Sequence, residues 1–173
     1  LLDGPIEFNV NLLRQGVLKG ASFDEYNSHL SDLALLYKKY SQYSDIFYRL
    51  ESKLNLLEKA LLLSESLSEN SFAELKNVKD EYLSIKDKYG TSPSKNEIGE
   101  WDKPTIGSRL SIANQGLSTF YGPTGMNKYN LEVAKKLVDE YKDDVESINT
   151  MVEDLEEKIK DLNHPHISGS GIN

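Results

Sequence analysis

The sequence predicts an all-α fold, an antiparallel helical bundle of about four helices, two long and two shorter, preceded by a short extended segment. Three observations carry this. Two long stretches, 23–61 and 131–162, place apolar residues every three or four positions, the spacing that puts them on one face of a helix. Neither proline nor glycine interrupts the chain between Ala21 and Gly90, so nothing in that span breaks a helix. The 173 residues include no cysteine, so the core is built by packing and not by disulfides or thiolate zinc. A chain of this length buries enough surface for that.

Before the first helix, Ile6, Phe8, Val10 and Leu12 alternate with Glu7, Asn9 and Asn11. Period two reads as a half-buried strand. A lone strand is unstable in water. Residues 1–20 are therefore expected to be an extended arm on the bundle or the end of a preceding β-domain. The chain starts at Leu1 without a signal-peptide pattern and is expected to be a piece of a longer protein.

The bundle is expected over 21–163. Ser22 with Glu25 forms a capping box, in which each side chain satisfies a free backbone N–H. From there the ladder runs Phe23, Tyr26, Leu30, Leu33, Tyr37, Tyr40, Tyr43, Phe47, Leu50, Leu54, Leu57, Leu61. This predicts a helix of about 40 residues, about 60 Å long. The steps alternate between three and four except for an extra three at Tyr40–Tyr43, which predicts a bend or change of partner there. The polar run 64–70 reads as a turn, and Ser71 with Glu74 as a second capping box. A shorter helix follows on Phe72, Leu75, Val78, Tyr82, Ile85 and Tyr89. Gly90 stands where a left-handed helix terminator is wanted, and Pro93 prevents continuation.

Thr91–Lys103 is expected to be irregular. Pro104 suits a first helical turn, and Ile106, Leu110, Ala113, Leu117 and Phe120 make a short stripe. Gly107 and Gly116 weaken it by about 1 kcal/mol each, or let a neighbouring helix come close. The turn 121–125 leads to the cleanest ladder: Leu131, Ala134, Val138, Tyr141, Val145, Ile148, Val152, Leu155, Ile159, Leu162. Asn163 and Pro165 end it, and the Gly/Ser-rich 164–173 is expected to be a flexible tail. The two long helices are expected to be antiparallel pillars with the shorter two packed beside them.

Net charge is −8, from 20 Lys+Arg against 28 Asp+Glu. Phosphate backbones and anionic membrane surfaces repel such a chain, so nucleic acid is not an expected partner. No apolar run approaches the roughly 18 residues of a membrane span.

No catalytic, metal or cofactor constellation is evident. His29 lies at helical spacing from Glu25 and Asp32 and is expected to be an exposed or partly buried helix histidine. His164 and His166 flank a proline without a third ligand nearby. The acidic pairs on the last helix lack the alternating oxygen ligands and central glycine of a calcium loop, and read as a solvated face. Most tyrosines fall on core stripes, where an amphipathic ring suits the bundle boundary. Tyr48 lies off the stripe and is expected to be exposed. Trp101, the only tryptophan, is read first as a cap on one end of the bundle, and otherwise as a contact for a neighbouring domain or ligand. Tyr48 and Trp101 are the candidate ligand-binding residues.

Trp101-Asp102-Lys103-Pro104, the run Leu117–Thr124 and Asn127-Lys128-Tyr129 before the last helix resemble the C-terminal helical segment of bacterial sortilin-like (VPS10/BNR-repeat) β-propeller proteins labelled glycosyl hydrolases. Phe8-Asn9-Val10 resembles the strand before that segment, and Gly20–Phe23 the approach to its first long helix. The resemblance implies an exported parent protein with its propeller and any carbohydrate chemistry upstream. This segment would then be a non-catalytic accessory domain whose partners are those β-domains or another protein. No catalytic residue of the propeller maps onto this sequence. Two further readings stand beside it: a ligand- or carbohydrate-binding helical module using Trp101 and Tyr48, and an autonomous enzyme.

Overall fold

A computed structural model describes residues 19–64, 69–119 and 121–160. The expected strand in Pro5–Leu12, the tail, Phe120, Leu162 and the His164–His166 pair lie outside the described residues. The fold is the expected all-α bundle of two long and two shorter helices, with a further five-residue helix inside the segment expected to be irregular. Helix α1 spans Phe23–Leu62, α2 Glu69–Tyr89, α3 Pro93–Glu97, α4 Ile106–Gln115 and α5 Gly125–Lys160. One turn of 3-10 helix, Gly116–Ser118, extends α4. No helix is long and apolar enough to cross a membrane among these residues.

The cross-links between helices fix their directions, and they correct the expected relation of the long pair. Glu25 pairs with Lys128, Lys39 with Asp139 and Lys53 with Glu156. Residue numbers rise together along both helices, so α1 and α5 run parallel. Helix α2 opposes both: Lys86 meets Glu51 while Lys79 meets Glu58, and Lys88 meets Asp144 while Glu74 meets Lys158. Helix α4 opposes both as well, with Tyr26 against Leu117, His29 against Ala113, and Arg109 against Asn130. Helices α2 and α4 therefore descend one after the other, and together they fill a single third position beside α1 and α5. Consecutive helices are antiparallel in the up-down-up sense. The third position of the bundle is broken, and because α4 continues in the direction of α2 instead of reversing it, the two long helices face the same way.

The broken third position explains the core. Leu57, Ala60, Val145, Ile148, Val152 and Ile159 are fully buried in the part that α2 covers, and Leu110 and Ala113 of α4 with Ala134 and Val138 of α5 in the other part. Burying each of the larger side chains contributes about 1.5–3 kcal/mol. Every residue of the α5 ladder from Leu131 to Ile159 is buried, as the spacing predicts.

The first helix follows a different phase from the one expected. It is continuous over 40 residues, and its inward face is His29, Leu33, Leu36, Tyr40, Tyr43, Phe47, Leu50, Leu54, Leu57, Leu61. These steps alternate between four and three without a skip, so the predicted irregularity at Tyr43 has no counterpart. Phe23, Leu30 and Tyr37 point out to solvent. The polar residue His29 holds the core position that Leu30 was expected to take.

Local signals settle the helix ends. Ser22 caps α1, its hydroxyl accepting from the Glu25 N–H at 3.2 Å. Helix α2 begins at Glu69, which places Ser71 inside its first turn and not at the cap. Gly90 extends α2 by one bond to Lys86 O at 2.9 Å, and positive φ occurs only at Gly99 and Gly122 among the described residues. Thr105 caps α4 by accepting from the Ser108 N–H at 3.1 Å, so Pro104 lies before the helix and not in its first turn. Gly116 is needed for close approach, because a Cβ there would lie 2.7 Å from Asn127 Cγ and 2.9 Å from Pro123 Cα.

Candidate functional site

The break between α2 and α4 gathers the unusual features of the molecule. Helix α2 stops at Tyr89 and α4 starts at Ile106, so the third position is interrupted opposite the middle of α1 and α5. Aromatic side chains line this gap. The Phe47 ring stacks on Tyr82 at 4.4 Å, and Tyr141 presents its edge or face to Phe47 at 5.9 Å and to Tyr89 at 4.8 Å. Tyr40 lies 5.9 Å from Tyr141. The result is an open cleft of about 340 Å³ whose walls include Tyr40, Phe47, Tyr48, Tyr89, Tyr141 and Thr105.

The cleft is lined by neutral hydroxyl groups and one charged side chain, Lys86. Burial pushes the phenols of Tyr40, Tyr82 and Tyr141 up, and that of Tyr89 up to about 12, so all stay protonated at neutral pH. Ser44 lies within hydrogen-bonding reach of both Tyr40 and Tyr141. The flanking charges cancel in pairs. Lys86 donates to Glu51 at 3.0 Å, and Lys88 to Asp144 at 2.8 Å. Tyr89 also donates to Asp144, at 2.7 Å. Burial alone would push the Asp144 carboxyl up, but these two donors hold it below its ordinary value.

The connecting segment 90–105 crosses the same break. Asp102 organises it, accepting from the Ser92 N–H at 2.6 Å and the Lys103 N–H at 2.7 Å, with Lys95 at 3.4 Å. Lys103 reaches back to the Asp87 carbonyl at 2.6 Å, and Gly99 supplies a left-handed turn at φ 70°. These bonds present Ile98 and Trp101 outward. Trp101 is 98 % exposed, which corrects the expectation that it caps the bundle. Tyr48 is exposed, as its position off the stripe predicts, and lines the cleft; Trp101 is not among the lining residues. The two candidate residues thus belong to different features.

Sequence reasoning missed Tyr40, Ser44, Tyr89 and Tyr141 as a group, because each tyrosine sits on a stripe and reads as core. The signal was the stop at Gly90–Pro93 facing the densest aromatic stretch of α1. His29 forms no pair with Glu25 or Asp32; it is buried and its Nε2 lies 3.0 Å from the Ala113 carbonyl. Among the described residues no three His, Asp or Glu side chains converge as metal ligands. A second groove, of about 230 Å³ between α1 and α5, is walled by Leu35, Leu36 and Leu131, and its Lys39 and Asp139 pair with each other.

No protein-family model, curated protein or solved structure matches the chain. The resemblance to the helical segment of sortilin-like proteins rests on its short motifs alone.

Proposed function

We propose that the chain is a non-catalytic helical interaction module that docks through the 98–101 loop, its partner being a neighbouring domain of a longer protein or a separate protein. The observation that carries this is the presentation of Trp101. A 98 % exposed indole forgoes about 2 kcal/mol or more of burial free energy. It is held in place by an aspartate-centred set of loop hydrogen bonds. Tryptophan is enriched among residues that dominate interface energies, and Ile98, 70 % exposed, supplies adjoining apolar surface. The bundle needs none of this loop for its core, so a rigid scaffold carrying a fixed aromatic knob is the economical reading.

The test replaces Ile98 with the photo-crosslinker benzoylphenylalanine in cells that make the full chain, with the same group at exposed Leu83 as control. A protein cross-linked from position 98 alone is then purified and titrated against the wild-type chain and Trp101→Ala. The expected loss is about 30-fold, the size of a hot-spot truncation of about 2 kcal/mol. A cross-linking pattern shared by positions 98 and 83, or a purified partner that binds Trp101→Ala equally well, removes the proposal.

A further inference from the structure

We infer that the cleft at the α2–α4 break is a binding site for a neutral, ring-shaped polyhydroxyl ligand, a sugar residue held against the tyrosine faces. The argument starts from size. A cleft of about 340 Å³ is far larger than the roughly 30 Å³ a water occupies and reaches the lower end of ligand sites, roughly 300 Å³. It admits one six-membered ring and its substituents, and its open side lets a chain continue outward.

Chemistry then narrows the ligand. The walls are aromatic faces and edges from Tyr40, Tyr48, Tyr89 and Tyr141, interspersed with the hydroxyls of Ser44 and Thr105. The charged side chain among the walls, Lys86, is already paired with Glu51 at 3.0 Å, so an anion would compete with that carboxylate, and no carboxylate lines the cleft to hold a cation. A wholly apolar ring would take the Tyr48 hydroxyl out of water, at a cost of about 1–3 kcal/mol, whereas Ser44 and Thr105 already have partners within the protein. A sugar meets both demands. Its C–H face packs on an aromatic ring, and its hydroxyls exchange hydrogen bonds with Ser44, Tyr48 and Thr105. Tyr48, exposed at the rim, can close over the bound ring without any change in the core. The inference is independent of docking through Trp101, which does not line the cleft.

The experiment titrates the ¹⁵N-labelled full chain with maltose, cellobiose and chitobiose, and separately with gluconate, glucosamine and p-cresol. The expected result is saturable shifts of the Ser44, Tyr48, Gly90, Thr91 and Thr105 amides with at least one disaccharide, at a Kd on the order of 1 mM, as suits one ring held by few contacts. Tyr48→Ala should raise that Kd about tenfold with unchanged circular dichroism, and Tyr48→Phe by less, since the ring remains. Trp101→Ala should bind the sugar as the wild type does, so failure of the docking proposal leaves this result readable. The inference is overturned if none of the three disaccharides shifts these amides up to its solubility limit, if Tyr48→Ala binds as tightly as wild type, or if p-cresol or a charged probe binds more tightly than every sugar.

Discussion

The two halves of the bundle solve the same packing problem by different chemistry. In the half covered by α2, the interior is aliphatic and aromatic: Leu54, Leu57, Leu61, Leu75, Val78, Ile148, Val152 and Ile159 are all buried. Its buried polar side chains among the described residues are Ser64, which donates to the Leu61 carbonyl one turn back, and Glu156, which is held by Lys53 and Lys160. In the half covered by α4, polar side chains enter the interior. His29, Asn127 and Asn130 are buried, and they bridge helices through backbone and side-chain bonds. Asn127 Nδ2 donates to the Ile112 carbonyl at 2.6 Å while its Oδ1 accepts from the Thr124 N–H at 2.9 Å, and Arg109 Nη1 donates to Asn130 Oδ1 at 2.9 Å. Helix α4 has only ten residues and two glycines in or beside it. An isolated helix of that length is marginal in water. Directional hydrogen bonds supply the fixing that a short apolar stripe cannot. The lesson is that the length of the covering helix decides how much polar specification the interior requires.

The largest expected effect tests the aliphatic half. Leu57→Ala removes a fully buried side chain and should destabilise the bundle by about 2–5 kcal/mol, read as a lowered urea midpoint. A change no larger than that of an exposed position such as Leu62 would show that this half is not the stability centre. Next comes the polar half. Asn127→Ala deletes a cap and a bridge at once and should cost about 1–3 kcal/mol. Amides of α4 should lose hydrogen-exchange protection before those of α2. Equal loss in both helices would erase the distinction between the halves.

The smallest effect tests the claim that charge in the α2 half is marginal. Burial pushes the Glu156 carboxyl up, but Lys53 and Lys160 more than offset that and hold it below its ordinary value of 4.5. A carboxylate depressed in the folded state stabilises above its unfolded pKa, and that stability disappears as pH falls through the folded value. Glu156→Gln should therefore cost under about 1 kcal/mol at pH 7. It should also flatten the part of the acid-induced decline that begins just above pH 4.5, measured by urea melts between neutral and acid pH. A Glu156→Gln loss rivalling that of Asn127→Ala would mean that the α2 half depends on buried polarity too.

The sequence by itself determined the helical class, the cap at Ser22, the length of the first helix and the apolar ladder of α5 from Leu131 to Ile159, but not the buried Asn127, Asn130 and Glu156 on that helix. These are local or periodic properties: a capping side chain reaches only three residues along the chain, and an apolar 3/4 ladder repeats whatever it packs against. Sequence reasoning missed the same device at the start of α5, where asparagine stands in place of Glu or Gln and the Asn127 and Thr124 N–H groups each meet the other's side chain. The face of α1 in its first half was not legible, because choosing His29 over Leu30 depends on the Ala113 carbonyl lying opposite, a partner 84 residues away. For the same reason only the tertiary structure could make α1 and α5 parallel, turn Trp101 out to solvent and bring Tyr40, Tyr89 and Tyr141 around one cleft. The first follows from α4 keeping the direction of α2, and the other two from the interruption between them; what faces an interruption is set by the neighbouring helices and not by the residues that cause it.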